Sequence, residues 1–251
     1  MAGPEELDAR YRAVPFPSGH HAVLDIRALA RRAREHGVTP PRVETARVLE
    51  LGCASGGHLA AMARELPDAT FVGIDRVIHQ HPDLPNLTLV EGDLSQATGT
   101  FDYVLAIGLY SWLPDVRPLM ATVARCLGPG ALAALTCNAL PGWADWMRAR
   151  DLMRFHTAGF DTPAEQIQQA RAILGTLLKT GANPELKPLA EGDHDAWLFH
   201  DWIAPHSRCV GMPEVLETLG DLQMVGDAEQ QWRQEFVSPT RVRTILLRHG
   251  L

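Results

Sequence analysis

Apolar and polar positions change period along this chain, and each change marks an element. From Ala22 to His36 the apolar residues Val23, Leu24, Ile26, Leu29 and Ala30 recur at helical spacing among arginines, which predicts an amphipathic helix ahead of Pro40 and Pro41. The pattern then shortens. ARVLEL (46–51) reads as a strand, GHLAAMAREL (57–66) as a helix and TFVGID (70–75) as a second strand, a βαβ unit. LTLVEG (87–92), FDYVLAIG (101–108) and GALAALTC (130–137) continue as strands three to five, with a helix near Val116–Cys126 before the last. This alternation predicts an α/β fold with a mostly parallel sheet and helices on both faces. Apolar runs this continuous predict strands buried on both sides.

The alternation stops at Asn138. Helical patterns near Trp143–Phe155 and Pro163–Lys179 precede a Pro/Gly/Asp-rich segment, and the stretch to Met212 is too long for a connection. It predicts an inserted helical cap over 138–211. A helix at PEVLETLG (213–220) and two strands, LQMVGDA (222–228) and RVRTILLRH (241–249), then end the sheet as an antiparallel pair. The expected organisation is a sheet domain of about seven strands over 1–137 and 212–251, its N-terminal helix serving as a lid, interrupted by the cap.

Composition narrows the class. With 46% hydrophobic and 21% charged residues in 251, the chain has enough apolar material for a full core. It has no run of eighteen apolar residues, and MAGPEELDAR lacks the basic-then-apolar layout of an export signal, so no membrane partner and a cytoplasmic location are expected. A net charge of -7 argues against nucleic acid held by charge. Cys53, Cys126, Cys137 and Cys209 have no C-x-x-C spacing and read as isolated thiols. His200 and His206, near Asp195 and Asp201, match no compact zinc motif, and no metal is expected.

The chemistry concentrates in VLELGCASGGHL (48–59), where a strand runs into Gly52, Cys53, Ala54, Ser55, Gly56 and Gly57 and then a helix. Small residues let a ligand touch the backbone, and the helix start offers free N–H groups to an anion. Nucleotide sites of several kinds share such a turn. Glu50 discriminates among them, because an acid two residues before the first glycine repels a pyrophosphate and attracts a cation. Asp75 ends the second strand, placed to accept ribose hydroxyls, and Asp93 follows the third, where it would accept from an adenine amino group.

VLELGCASGGHL, FVGID, LVEGDL and FDYVLAIGLYSWLP resemble the successive motifs of class I S-adenosylmethionine-dependent methyltransferases. The resemblance implies a Rossmann-like fold, S-adenosyl-L-methionine as cofactor, and a cofactor site of Glu50, Gly52, Ala54, Ser55, Gly56, Asp75, Arg76, Asp93, Leu94 and Ile107. VPFPSGHH, AIGLYSWLP and NALPGWADWMRARDLMRFHT further resemble bacterial methyltransferases that carry a methyltransferase regulatory domain, some of them protein-lysine methyltransferases. The chain departs from those at Ile107, where histidine is usual, and at Cys137 and Leu140, where tyrosines are usual, which counts against a lysine acceptor.

Methyl transfer needs orientation more than covalent help. Tyr110, just past the fourth strand, is the first candidate catalytic residue, with His20 and Tyr11 from the N-terminal segment beside it; Asn138 and Trp143, flanking Pro141 and Gly142, are candidates to hold the acceptor. The expected activity is transfer to a nitrogen or oxygen of a small metabolite or peptide. Its alternatives are protein-lysine methylation and a cofactor-binding interaction protein without transfer activity. Oligomeric state is left open.

Overall fold

The computed structural model describes residues 4–181, 184–192, 194–204, 207–226 and 242–250. These form two compact units, one of residues up to Pro17 with Trp143–Ser207, the other of Ser18–Gly142 with Arg208–Leu251.

The larger unit is built on a seven-stranded sheet. In chain order it contains α2 (Ile26–Glu35), β1 (Arg47–Leu51), α3 (Gly57–Glu65), β2 (Thr70–Asp75), β3 (Leu87–Glu91), β4 (Phe101–Ala106), α4 (Arg117–Cys126), β5 (Leu127–Asn138), α9 (Met212–Glu217), β6 (Leu222–Met224) and β7 (Val242–His249), the remaining helices belonging to the other unit. The sheet order is β3-β2-β1-β4-β5-β7-β6. β1 to β5 run parallel, and β7 pairs antiparallel with both β5 and β6, as the alternation and the closing pair of strands predict. Positions 227, 228 and 241 of the expected last strands lie outside the described residues.

Side-chain alternation divides the core between the two faces of the sheet. Leu49, Val104, Ala133 and Leu135 pack with Leu119 and Val123 of α4 and Val215 of α9. Val48, Phe71, Tyr103, Leu105 and Ala134 pack with Ile26, Leu29 and Ala33 of α2 and Leu59 and Met62 of α3. The helix expected as a lid is therefore a structural layer. Its start also differs from the sequence pattern: Ala22–Leu24 is a 3-10 turn with Val23 exposed, and α2 begins only after Asp25, whose side chain accepts from the backbone N–H of Arg27 and caps it.

Two strands depart from expectation. β3 is an edge strand with an exposed face, Val90 included, so its apolar run is not buried on both sides. β5 starts three residues earlier than its apolar run, because the register against β4 shifts between Phe101 and Tyr103 and accommodates Gly128-Pro129-Gly130.

The smaller unit gathers α1 (Pro4–Ala13), α5 (Ala144–Thr157), α6 (Pro163–Lys179), α7 (Lys187–Glu191) and α8 (Asp195–Trp197), which runs into a π-helical turn, Leu198–Ile203. Thr162 and Glu165 form a capping box at the start of α6. Helix α1 was not evident in the sequence pattern. His200 accounts for its place: its Nε2 lies 2.8 Å from the carbonyl of Val14, and the Tyr11 and Phe16 rings pack on its imidazole. The unit thus combines the expected cap helices with the N-terminal segment, while Asn138 remains in the sheet as the last residue of β5.

Candidate functional site

The turn after β1 owes its shape to three residues in the left-handed region, Gly52 at φ 73°, Ala54 at φ 48° and Gly56 at φ 69°. Gly56 also has no room for a side chain, since a Cβ there would lie 2.8 Å from the Leu89 methyls. The turn is tied to its neighbours by backbone donors: Gly52 N–H reaches the Ile74 carbonyl at 2.8 Å, and Ala54 N–H reaches Asp75 Oδ2 at 2.7 Å. Ser55 Oγ accepts from His79 N–H at 3.2 Å, which fastens the segment after β2 to the same turn.

Glu50 is paired in register with Gly73 of β2 and Leu105 of β4, so its carboxyl lies on the α2/α3 face. It is buried, and Oε2 has no hydrogen-bond partner among the described residues. Burial, reinforced by the charge of Asp75, pushes its pKa up to about 8. The same alternation puts Asp75, Thr136 and Asn138 on this face at the carboxyl ends of their strands, with Ile107 packed beside them. Asp75 accepts from Ala54 and Val77 N–H, and burial moves its pKa upward against those bonds. Arg76 and Leu94 are half-buried; Asp93 is exposed and caps a 3-10 turn by accepting from Ser95 N–H at 2.9 Å.

Helix α3 is capped from a distance. Gly56 at its N-cap has no side chain, and Ser18 Oγ accepts the Gly57 N–H at 2.7 Å instead. The segment that carries Ser18 is held by His58 on α3: His21 N–H donates to His58 Nδ1 at 3.2 Å, and His58 Nε2 faces the Leu24 carbonyl at 3.4 Å. Those partners require a neutral imidazole, and burial followed by the His21 charge holds the His58 pKa down to about 4. The His20–His21 segment therefore does fold against the glycine turn. His20 itself stacks on His58 and lies 3.2 Å from Asp25. Neither Ser18 nor His58 was singled out from the sequence, where nothing signals a cap partner 39 residues away.

Tyr110 belongs elsewhere. It is fully buried in the cluster on the α4/α9 face, its hydroxyl 2.9 Å from Thr218 Oγ1 and its ring under the Arg208 guanidinium, so it packs rather than faces Glu50. Tyr11 lies on α1 against His200 in the smaller unit. In that unit too, Trp143 packs edge-on against Trp146 and tilted against Trp202 with centroids 5.6 and 5.5 Å away, and its buried Nε1 has no partner among the described residues. Asn138 is buried, its backbone N–H donates to Ser111 Oγ at 2.7 Å, and its side-chain Nδ2 is unpartnered among the described residues. Among those residues no group of three His, Cys, Asp or Glu is placed to hold a metal, and no helix is long and apolar enough to cross a membrane; His206 lies outside them.

The chain is similar to known proteins in sequence and in fold. Uncharacterized protein RP789 of Rickettsia prowazekii is 30% identical over 195 residues, covering 72% of this chain and 35% of its own length. Trans-aconitate 2-methyltransferase of Deinococcus radiodurans is 32% identical over 124 residues, 47% of each chain. Among solved structures, PKMT2 from Rickettsia typhi in complex with AdoHcy superposes with a TM-score of 0.76 at 21% identity, over 94% of this chain and 55% of that one. The chain thus spans about half or less of the length of these relatives. A methyltransferase-domain family matches residues 21–170, which include the glycine turn, Asp75, Asp93 and Asn138. With that match over more than half its length, the chain belongs to the methyltransferase domain family, and its Rossmann-like fold is shared with PKMT2.

Proposed function

We propose that this protein is an S-adenosylmethionine-dependent methyltransferase acting on a nitrogen or oxygen of a small metabolite or peptide. The observation that carries the reading is Glu50: a buried carboxyl with an unpartnered oxygen, two residues before the left-handed Gly52, is a place prepared for a cation. A dinucleotide's pyrophosphate would meet this acid unfavourably, whereas an ammonium replaces the solvation that Glu50 has lost.

The residues present fit the cofactor. Glu50 would take the ammonium, the open backbone of the turn at Gly52, Ala54, Ser55 and Gly56 would lie along the ligand, Asp75 and Arg76 would face the ribose, and Asp93, Leu94 and Ile107 would border the base. When bound, the cofactor supplies a methyl group on a sulfonium. The chain's own part is to orient the acceptor and exclude water, with Asn138 at the end of β5 as the proposed acceptor contact. His20 and Tyr11 stand in the segment ahead of the sheet, where His20 is engaged by Asp25.

Calorimetry with S-adenosylmethionine, AdoHcy and a nicotinamide dinucleotide tests the reading. The first two are expected to bind and the third to be rejected; the reverse order of affinities sinks it.

A further inference from the structure

Among the described residues, two of the buried polar atoms without partners on one face of the sheet stand at strand ends and are of opposite kinds. Glu50 Oε2 accepts and Asn138 Nδ2 donates. A buried polar atom without a partner is destabilising, so each marks a place where a ligand can complete the bond. One ligand head group does not complete both. Glu50 is level with Leu105 and Leu105 with Ala134, so Asn138 lies four residues farther along β5 and two strands across. At about 3.3 Å per residue and about 4.8 Å per strand, the two Cα atoms are about 16 Å apart. An amino acid presents its ammonium and carboxylate only about 3 Å apart, so a head group at Glu50 leaves Asn138 to a second molecule.

Two candidate bases, Tyr110 and His20, are engaged among the described residues. The Tyr110 hydroxyl is bonded to Thr218 on the opposite face, and the His20 imidazole faces Asp25 while stacked on His58. An alcohol sheds a proton on methylation, and an amine that is protonated at neutral pH must shed one before it can attack. A carboxylate has none to shed, and its oxygens are the acceptors that an amide N–H lacks.

We infer that the methyl acceptor is a carboxylate and that Asn138 Nδ2 holds one of its oxygens. This rests on the methyltransferase reading. In the transfer, the second carboxylate oxygen attacks the methyl carbon with its lone pair as the carbon–sulfur bond breaks. The bonding pair returns to sulfur, and the products are a methyl ester and the uncharged thioether, with no proton moved. Asn138 is thus a binding residue that selects the acceptor's charge.

The test uses the whole protein with methyl-tritiated S-adenosylmethionine and either trans-aconitate or a small-molecule bacterial extract. Methyl esters release label as volatile methanol in base, whereas N-methyl and ether products retain it. Base-labile label is expected, and the variant Asn138→Asp should raise the acceptor's KM more than tenfold by facing a carboxylate with a carboxylate, with AdoHcy affinity within threefold. A readout independent of turnover is the melting temperature of Asn138→Leu, expected to equal or exceed that of the parent because the amide N–H has no internal partner to lose. Only base-stable label, no base-labile label from a protein that binds AdoHcy, an unchanged KM in Asn138→Asp, or a clear drop in melting temperature for Asn138→Leu each overturns the assignment. Failure of the parent to bind AdoHcy is a different result, and it brings down the methyltransferase reading itself.

Discussion

The backbone N–H of Ala54 donates to Oδ2 of Asp75 at 2.7 Å, joining the turn after β1 to the end of β2. One carboxylate therefore shapes the loop and remains beside the ligand it is proposed to serve. Because Asp75 also accepts from Val77 N–H, its second oxygen is likewise engaged locally. Asp75→Ala should accordingly lower both quantities: AdoHcy affinity by tenfold or more, and stability to denaturant by about 1–3 kcal/mol, since two backbone donors lose a charged acceptor. Calorimetry and urea titration measure the two, and a loss of stability with unchanged affinity would show that Asp75 is structural alone.

The role proposed for Glu50 implies that cofactor binding depends on pH. Its folded pKa, pushed to about 8 by burial and then by Asp75, stands above the ordinary value, so between about pH 4.5 and 8 the folded chain holds a proton that the unfolded chain has released. Stability from this group is therefore present at low pH and lost as pH rises toward 8. A cationic ligand needs the ionised form, so S-adenosylmethionine affinity should climb from pH 6 to pH 8, by up to about tenfold per unit. Glu50→Gln should flatten that climb and bind weakly throughout. A slope that survives in Glu50→Gln would assign it to another group.

Ala54 occupies a left-handed conformation at φ 48° that glycine adopts without strain. The strain costs about 1–2 kcal/mol. Glycine gives back about 0.4–1 kcal/mol through the greater freedom of the unfolded chain. Ala54→Gly should thus gain about 0.5–1 kcal/mol, or roughly 1–4 °C in melting temperature for a chain of this size. A lower melting temperature would mean that the Ala54 methyl has a packing role.

Gly57 has no space for a methyl group, because a Cβ there would lie 2.7 Å from Ser18 Oγ and 2.8 and 2.9 Å from the Ser18 backbone carbon and oxygen. Gly57→Ala should cost about 1–3 kcal/mol by forcing the segment outward. Ser18→Ala should cost about 1 kcal/mol, the value of a helix cap. The double variant is expected to cost less than the sum, since the cap is already lost in Gly57→Ala; strict additivity in denaturant unfolding would show that the two residues do not act together.

Much of the frame was legible in the chain. The bounds of β2 and of α6 are legible in the sequence, because a short apolar run in TFVGID and the helical pattern over Pro163–Lys179 are matters between near neighbours. Asp75 was placed beside the glycine turn for the same reason, since βαβ handedness fixes which strand ends meet. Helix α1 was not, because its apolar stripe is weak and its packing on His200 is made some 190 residues away. The face that Tyr110 takes is not legible, because the residues after β4 leave the strand's alternation in a 3-10 turn, Leu109–Trp112, and position along the chain no longer tells which face a side chain takes.

The sequence by itself determined the order of elements, the strained glycine turn and the acids at the strand ends, all set by residues within a few positions of one another. Only the tertiary structure decided that Tyr110 is spent on Thr218, that Ser18 caps a helix in another part of the chain, and that Glu50 and Asn138 share a face with their polar atoms unmet. Those facts depend on which distant groups the packed sheet brings within hydrogen-bond reach, and no local pattern records a partner 39 or 108 residues away.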